Sequence, residues 1–340
     1  MANRSKITII QAINEAIAQA MAADDKILVL GEDVADREGG GVVGVTRGLS
    51  TRFGDDRVRS TPIAEQAIMG AAIGAAINGY KPVAEIMLMN FTTVAMDMIV
   101  NHAAKLRYMS GGQTTVPIVI RMMTGAGIAS GGQHSDFLEA WFAHTAGIKV
   151  VAPTNAADAK GLMLSAIADP DPVMFIECSR AYGNSCEVPE VGEPIPIGKA
   201  SVVQEGTDVT IVSYSEIFQR AIAAAKELEK DGVSVELIDL RTIAPWDRET
   251  VIASVRKTGR AVIAHEAVRQ FGVGAEIAAT LQEDLWGELK APVKRLGAPY
   301  TSVPFSQGLE PLFIVSVQQI VEAARATIGT AAAPVAMGIN

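Results

Sequence analysis

Glu65 and His134 are the side chains of this 340-residue sequence that join a reactive type to a telling position. Glu65 ends Arg59-Ser60-Thr61-Pro62-Ile63-Ala64-Glu65, and from Gln66 to Tyr80 no charged side chain follows. A carboxylate at the mouth of so apolar a helix loses hydration, and its pKa rises unless a partner is supplied. Such a group is poised for proton transfer. The plainer account is a first-turn acid favoured by the helix dipole. His134 follows the glycine-rich stretch Gly125 to Gly132 and is flanked by Gln133, Ser135 and Asp136. An imidazole on a loop suits catalysis better than one packed in a helix. His102 and His144 read as packing residues, the first in a helix of mixed character and the second after Trp141-Phe142. His265-Glu266 ends a strand of the second half, where an intersubunit contact serves as well as chemistry.

The elements that must hold these groups alternate. Thr61 as N-cap and Pro62 at the first helical position predict a helix start there. Gly70 and Gly74, on one face of that helix, predict another backbone close against it. The strand Lys26 to Leu30 leads into Gly31-Glu32-Asp33, at the carboxyl end where parallel sheets bind ligands. Gly39 to Gly48 reads as a loop that is mobile until something binds. A strand from Lys81 to Leu88 ends in Met89-Asn90-Phe91, Thr92 to Tyr108 reads as a helix, and Val116 to Met122 as a strand. The pattern continues to Thr327 and predicts an α/β fold of two doubly wound domains. Pro189, Gly192, Pro194 and Pro196 mark a linker over 187–200 between domains at 1–186 and 201–330, with a frayed tail at 331–340.

Totals narrow the function. The length exceeds one ordinary core, and 49% hydrophobic with 5% aromatic content means an Ala/Val/Ile/Gly interior. A net charge of -9 argues against nucleic acid and against an anionic membrane surface. The start leads into an amphipathic helix rather than a signal core, and no uninterrupted apolar run reaches membrane-spanning length. Cys178 and Cys186 match neither a redox pair nor a zinc pattern, which fits free thiols in a reducing cytoplasm. Phe271-Gly272-Val273-Gly274-Ala275-Glu276-Ile277 carries Ile where a dinucleotide fingerprint needs its third glycine, and the Gly125 loop fails likewise. No P-loop, zinc-protease or serine-elbow motif is present.

Taken together, Gly31-Glu32-Asp33-Val34, Thr61-Pro62-Ile63-Ala64-Glu65, Met109-Ser110-Gly111-Gly112, Gln133-His134-Ser135, Gly147-Ile148-Lys149-Val150-Val151 and Asp239-Leu240-Arg241-Thr242 carry a specific resemblance. From about residue 5 to 328 the chain resembles the β subunit of the thiamine-diphosphate-dependent dehydrogenase component of 2-oxoacid and acetoin dehydrogenase complexes. That resemblance implies a pyrimidine-binding thiamine-diphosphate domain followed by a transketolase C-terminal-like domain. It implies that Glu65 hydrogen-bonds the pyrimidine ring nitrogen and favours the imino tautomer, which forms the thiazolium ylide. Met87 and Phe91 match positions that pack the pyrimidine; without the resemblance both are core packing at a strand end. His134 matches a histidine near the reactive carbon, implicated in substrate handling and acyl transfer to the lipoyl group. Glu32 matches a carboxylate of an acidic tunnel joining two active sites, with Asp97 a second candidate. Potassium is implied at the backbone oxygens of Ile118, Ala166, Ile167 and Asp169.

The family's Gly-Asp-Gly segment with a later Asn, which holds Mg2+ and diphosphate, has no match; Gly54-Asp55-Asp56 lacks the second glycine. The resemblance therefore implies an α subunit carrying that half, an α2β2 heterotetramer, and a second domain that makes the β–β contact and docks a lipoyl acyltransferase core. Asp136 stands where many relatives have Gln and places a negative charge near His134, raising that histidine's pKa. Val94 stands where pyruvate-type relatives can carry a polar residue, whereas Gly41-Val42-Val43-Gly44-Val45-Thr46 resembles acetoin-type members. Glu139-Ala140-Trp141-Phe142 does not separate the branches. The substrate stays open between pyruvate, a branched 2-oxoacid and acetoin. A split transketolase-like ketol transferase would call for basic and histidine groups for a sugar phosphate, which a chain with 4 histidines supplies poorly. A non-catalytic assembly subunit would have no use for Glu65.

Overall fold

The structure is a computed structural model that describes residues 4–329; the tail expected at 331–340 lies outside the described residues. It falls into two compact units. The first runs through Lys199 and takes in Arg241–Trp246 and Ser302–Phe313; the second takes Ala200–Leu240, Asp247–Thr301 and the chain from Ile314.

The first unit begins β1 (Arg4–Thr8), α1 (Ile9–Ala23), β2 (Ile27–Gly31), α2 (Leu49–Phe53), β3 (Val58–Ser60), α3 (Glu65–Ile77) and β4 (Lys81–Leu88). It continues with α4 (Leu106–Met109), β5 (Val119–Thr124), α5 (Glu139–Ala143), β6 (Lys149–Val151), α6 (Ala156–Ala168), β7 (Val173–Cys178) and β8 (Ser185–Pro189). The second unit holds β9 (Ser201–Gln204), β10 (Val209–Ser213), α7 (Ser215–Lys230) and β11 (Val235–Asp239). The chain then gives β12 (Thr242–Ala244) to the first unit and α8 (Arg248–Thr258), β13 (Ala261–Val268), α9 (Val273–Asp284) and β14 (Lys294–Ala298) to the second. Last come α10 (Glu310–Phe313) in the first unit and α11 (Val317–Ile328) in the second.

The first unit is built on a 7-stranded sheet in the order β12-β6-β7-β5-β4-β2-β3. Every pairing is parallel except β12 with β6. Its interior strand β7, Val-Met-Phe-Ile-Glu-Cys, is buried at every position, as a parallel strand covered on both faces must be. Helix α1 buries Ile9, Ile13, Ile17 and Met21, packs on α6, and starts at a Thr8/Gln11 capping box. The residues before Thr8 pair with β8 as a strand rather than extending that helix. The second unit has a 5-stranded sheet, β14-β13-β10-β11-β9, parallel except for β9. There His265 is fully buried among Gly272, Gly274 and Gly297, and burial lowers its pKa to about 4, so within this unit it is a core residue. Among the described residues no helix is long and apolar enough to cross a membrane.

Five expectations change on contact with the structure. Helix α3 starts at Glu65 behind Ala64, not at Thr61-Pro62, because the Thr61 N–H is taken by the Gly31 carbonyl at 2.9 Å and continues the β2–β3 ladder. Its glycine face is open: a Cβ at Gly74 would meet nothing within 4 Å, and one at Gly70 only Met98 Sδ at 3.7 Å. The helix expected over Thr92 to Tyr108 is broken into a π-turn at Met98–Ala103 and the short α4. The proline-rich stretch after Glu187 opens inside β8, and further on Gly192 exchanges hydrogen bonds with the Gln19 side chain at 2.9 and 3.0 Å while Ile195 accepts from Ser165 at 2.6 Å.

The Gly39 to Gly48 loop is tied rather than free. Thr46 Oγ1 donates to the Val34 carbonyl at 2.8 Å and Asn14 Nδ2 to the Val45 carbonyl at 2.7 Å. Asp36 closes its far end, accepting from the N–H groups of Gly48 and Thr51 and from the hydroxyls of Ser50 and Thr51. Burial alone would raise the Asp36 carboxyl, but these donors outweigh it and hold its pKa at about 2, against an ordinary 3.8. A depressed folded pKa contributes stability that is present above the ordinary value and lost as the pH falls through the folded one. Thermal melts of the wild type should therefore drop steeply between pH 4 and about 2; Asp36→Asn should melt lower at pH 7 and lose less over that window.

Candidate active site

Four of the five predicted catalytic and cofactor-binding residues lie just past the carboxyl ends of the neighbouring strands β5, β4, β2 and β3. Glu32 follows β2, Glu65 opens α3 after β3, Phe91 lies in the 3-10 turn Met89–Thr93 after β4, and His134 ends the 3-10 turn Gly132–His134 reached from β5. Met87 is the fifth, inside the last turn of pleat of β4. That edge is where a parallel sheet opens between its loops.

Glu65 is 7% exposed, and among the described residues nothing hydrogen-bonds its carboxylate. Glu32 is buried too, and its Oε1 has no partner. Burial raises the Glu32 carboxyl, and the charges of Glu65, Asp33 and Glu85 raise it further. Glu32 therefore gives up its proton less readily than a carboxyl in water. Met87, half-buried, lines a small cavity of about 10 Å³ with Gly41, Val42, Glu85, Arg121 and Tyr182.

Phe91 and His134 meet edge to face, ring centroids 5.4 Å apart at 76°. The His134 turn is held by Asn90, whose Nδ2 donates to the Gly132 carbonyl at 3.0 Å and to Asp136 Oδ2 at 2.9 Å. The Asn90 Oδ1 accepts the Asp136 N–H at 3.2 Å. The Asp136 carboxylate is thus held by Asn90. Burial pushes the Asp136 carboxyl up, and the Asn90 hydrogen bond works against that rise. Asn90→Ala should leave this carboxyl unpartnered and cost roughly 1–3 kcal/mol, read from urea denaturation. An unchanged midpoint would show that Asn90 does not hold the turn.

Beneath this edge runs a buried ion network. On adjacent strands, Arg121 Nη1 donates to Glu85 Oε2 at 2.5 Å, and Nη2 to Glu177 Oε2 at 2.8 Å. Its Nε lies 2.7 Å from Glu177 Oε1, and the Tyr182 hydroxyl donates to Glu177 Oε2 at 2.7 Å. Burial opposes the Arg121 charge, but Glu177 and then Glu85 hold the guanidinium protonated; burial likewise pushes Glu177 up against the pull of Arg121.

The suggested potassium positions lie at the opposite edge of the sheet. Ile118 precedes β5, Ala166 and Ile167 are in the last turn of α6, and Asp169 is its C-cap. The Ile118 carbonyl accepts from the Val173 N–H at 2.9 Å, and both Asp169 oxygens accept from Lys149 Nζ at 2.6 and 2.7 Å. Among the described residues no group of three or more His, Cys, Asp or Glu could hold a metal. Asp97 is half-exposed and accepts from Asn101 Nδ2 at 2.8 Å.

Sequence reasoning passed over Asn90 and the Arg121 network. The network does have a signature: the apolar runs of β4, β5 and β7 each carry one charged side chain inside, Glu85, Arg121 and Glu177. Opposite charges inside neighbouring buried strands must pair. Nothing distinguishes Asn90, an amide at the end of a strand.

Comparison with known proteins agrees with this architecture. A family described as "Transketolase, pyrimidine binding domain" matches residues 5–184, and "Transketolase, C-terminal domain" matches 198–320. The acetoin:2,6-dichlorophenolindophenol oxidoreductase subunit beta of Cupriavidus necator is 46% identical over 331 residues, covering 95% of this chain and 98% of that one. The pyruvate dehydrogenase E1 component subunit beta of Bacillus subtilis is 44% identical over 322 residues, with 94% and 98% covered. Among solved structures, a split-gene transketolase described as an inactive β4 tetramer superposes with a TM-score of 0.75 at 24% identity, covering 96% of this chain and 99% of that one. A transketolase mutant from Pichia stipitis gives 0.67 at 17% identity, covering 96% of this chain and 46% of that one. At such identities the structural likeness speaks for the fold alone. With its parallel sheet, its acidic carboxyl edge and relatives matched from end to end, the chain belongs to the transketolase-like family of pyruvate and acetoin dehydrogenase E1 β subunits.

Proposed function

We propose that this chain is the β half of a thiamine-diphosphate-dependent dehydrogenase component that acts on a 2-oxoacid of the pyruvate type or on acetoin. The observation that carries the reading is Glu65, a buried carboxylate with no hydrogen-bond partner among the described residues, beside the raised carboxyl of Glu32. An oxygen left unpaired at depth, as Glu32 Oε1 is among the described residues, is unfavourable unless a ligand completes it. Thiamine diphosphate, when bound, supplies a carbon nucleophile and an electron sink. Toward it, Glu65 would share a proton with the pyrimidine ring nitrogen, while Met87 and Phe91 cover the ring and keep water away. His134, edge-on to Phe91, would handle protons on the substrate side and during acyl transfer to a lipoyl group.

We assign the cofactor's pyrimidine to residues 1–186, and the β–β contact and docking of a lipoyl acyltransferase core to residues 201–330. Mg2+ and diphosphate would be held by an α subunit in an α2β2 enzyme, and the open glycine face of α3 supports a partner chain there. Potassium, where bound, would sit on the carbonyls of Ile118, Ala166, Ile167 and Asp169, since the helix C-terminus favours a cation and each carbonyl has a second lone pair. The free thiols Cys178 and Cys186 support a reducing cytoplasm. Full-length relatives that are dehydrogenase β subunits speak against ketol transfer and against a purely structural role. Co-expression with the α subunit, followed by cofactor-dependent turnover of pyruvate, a branched 2-oxoacid and acetoin, tests the reading. A chain that binds the cofactor tightly and turns over without any partner would overturn it.

A further inference from the structure

The glycine-rich loop before His134 has its N–H groups turned on a carboxylate of the same chain. Gly125 and Gly127 take φ values of 110° and 109°, and Ala129 one of 55°, a run of left-handed residues that forms an anion-binding concavity. Glu310 fills it. Its Oε1 accepts from the Gly127 N–H at 2.5 Å and its Oε2 from the Ala129 N–H at 2.9 Å, and the residue is 3% exposed. The strap that carries Glu310, Ser302–Phe313, is part of the first unit although it lies far along the chain. The strap also lies against the loop nearer the histidine: a Cβ on Gly131 would come within 2.8 Å of Phe305, and one on Gly132 within 3.2 Å of Ser302. Gly132 opens the 3-10 turn that ends in His134. The loop is therefore held at the turn by Asn90 and, upstream at Gly127 and Ala129, by the buried carboxylate of Glu310.

We infer that Glu310 is a positioning residue for His134, holding the catalytic loop through the Gly127 and Ala129 amides. This rests on the function proposed above, and it is separable from it. A loop released from such a clamp lets a reacting side chain drift by a fraction of an ångström, which is enough to cost rate without costing substrate affinity. The test uses the α-partnered enzyme with Glu310→Ala and Glu310→Gln, the second keeping one acceptor and the side-chain volume. Amide hydrogen exchange at 126–134 should quicken at least about tenfold in Glu310→Ala and less in Glu310→Gln. The kcat for lipoyl acylation should fall about tenfold or more, KM should stay within about twofold, and Glu310→Gln should recover part of the loss. Unchanged exchange, or faster exchange with an unchanged kcat, overturns the inference. A parallel rise in KM and fall in kcat also overturns it, since that marks a general loss of the fold. If the wild type turns over none of the substrates, the functional reading fails, and the exchange result alone decides whether Glu310 holds the loop.

Discussion

Glu65→Gln in the α-partnered enzyme should lower kcat by about 10²–10⁴-fold, the usual worth of a positioned proton-transfer group. The fold should not notice the change. The Glu65 side chain makes no hydrogen bond within the described residues, so the isosteric amide breaks no internal contact and the melting temperature near pH 4 should stay put. Glutamine can still accept or donate a hydrogen bond, but it cannot take and return a proton, and that difference is the one the substitution isolates. A second readout follows from Glu32, whose carboxyl is raised by burial first and by the Glu65 charge next. An acid with a raised folded pKa contributes stability that is present at low pH and lost as the pH rises through that pKa. Removing the Glu65 charge lets Glu32 ionise more easily, so the variant should lose less stability than the wild type as the pH rises from 4 toward neutrality. Full lipoyl acylation by the Gln variant would refute the assignment, whatever the melts show.

The alternation of strands and helices was legible because buried parallel strands read as continuous apolar runs, as in Val173–Cys178, and α6 was readable from Ala156 to Ala168. The start of α3 was not, because Thr61-Pro62 has the composition of a cap while its backbone is committed to the sheet by the Gly31 carbonyl. Local propensity lost there to a long-range hydrogen bond. Gly70 and Gly74 suggested a backbone close against α3, but no backbone approaches that face among the described residues. Glu65 and His134 could be singled out by position alone. Their neighbours Asn90 and Glu310 could not, since Asn90 is placed by the end of β4 and Glu310 lies some 180 positions from the amides it holds, |i−j| being 183 and 181.

The Arg121 network sets the scale for stability. Arg121→Leu should destabilise the chain by about 3–5 kcal/mol, because it leaves Glu85 and Glu177 buried without their cation. Urea denaturation would read this as a lower midpoint with little change in slope. The loss should depend on pH with a definite sign. Glu177 is already pushed up by burial and is held down chiefly by Arg121. Without the guanidinium its folded pKa rises further, so the variant should be nearest to wild type in mild acid and fall away as the pH rises. Volume alone does not explain the cost, and a companion variant separates the two. Combining Arg121→Met with Glu85→Leu and Glu177→Leu removes all three charges and should recover most of the loss, since apolar replacements of buried ion networks are often neutral. What remains should be the stranded Tyr182 hydroxyl, roughly 1–3 kcal/mol. A triple variant as unstable as Arg121→Leu would mean that packing, not charge, governs this layer. If the triple variant folds well yet turns over slowly, the network's place beneath Glu32 gives the reason: Glu85 is one of the charges that raise that carboxyl.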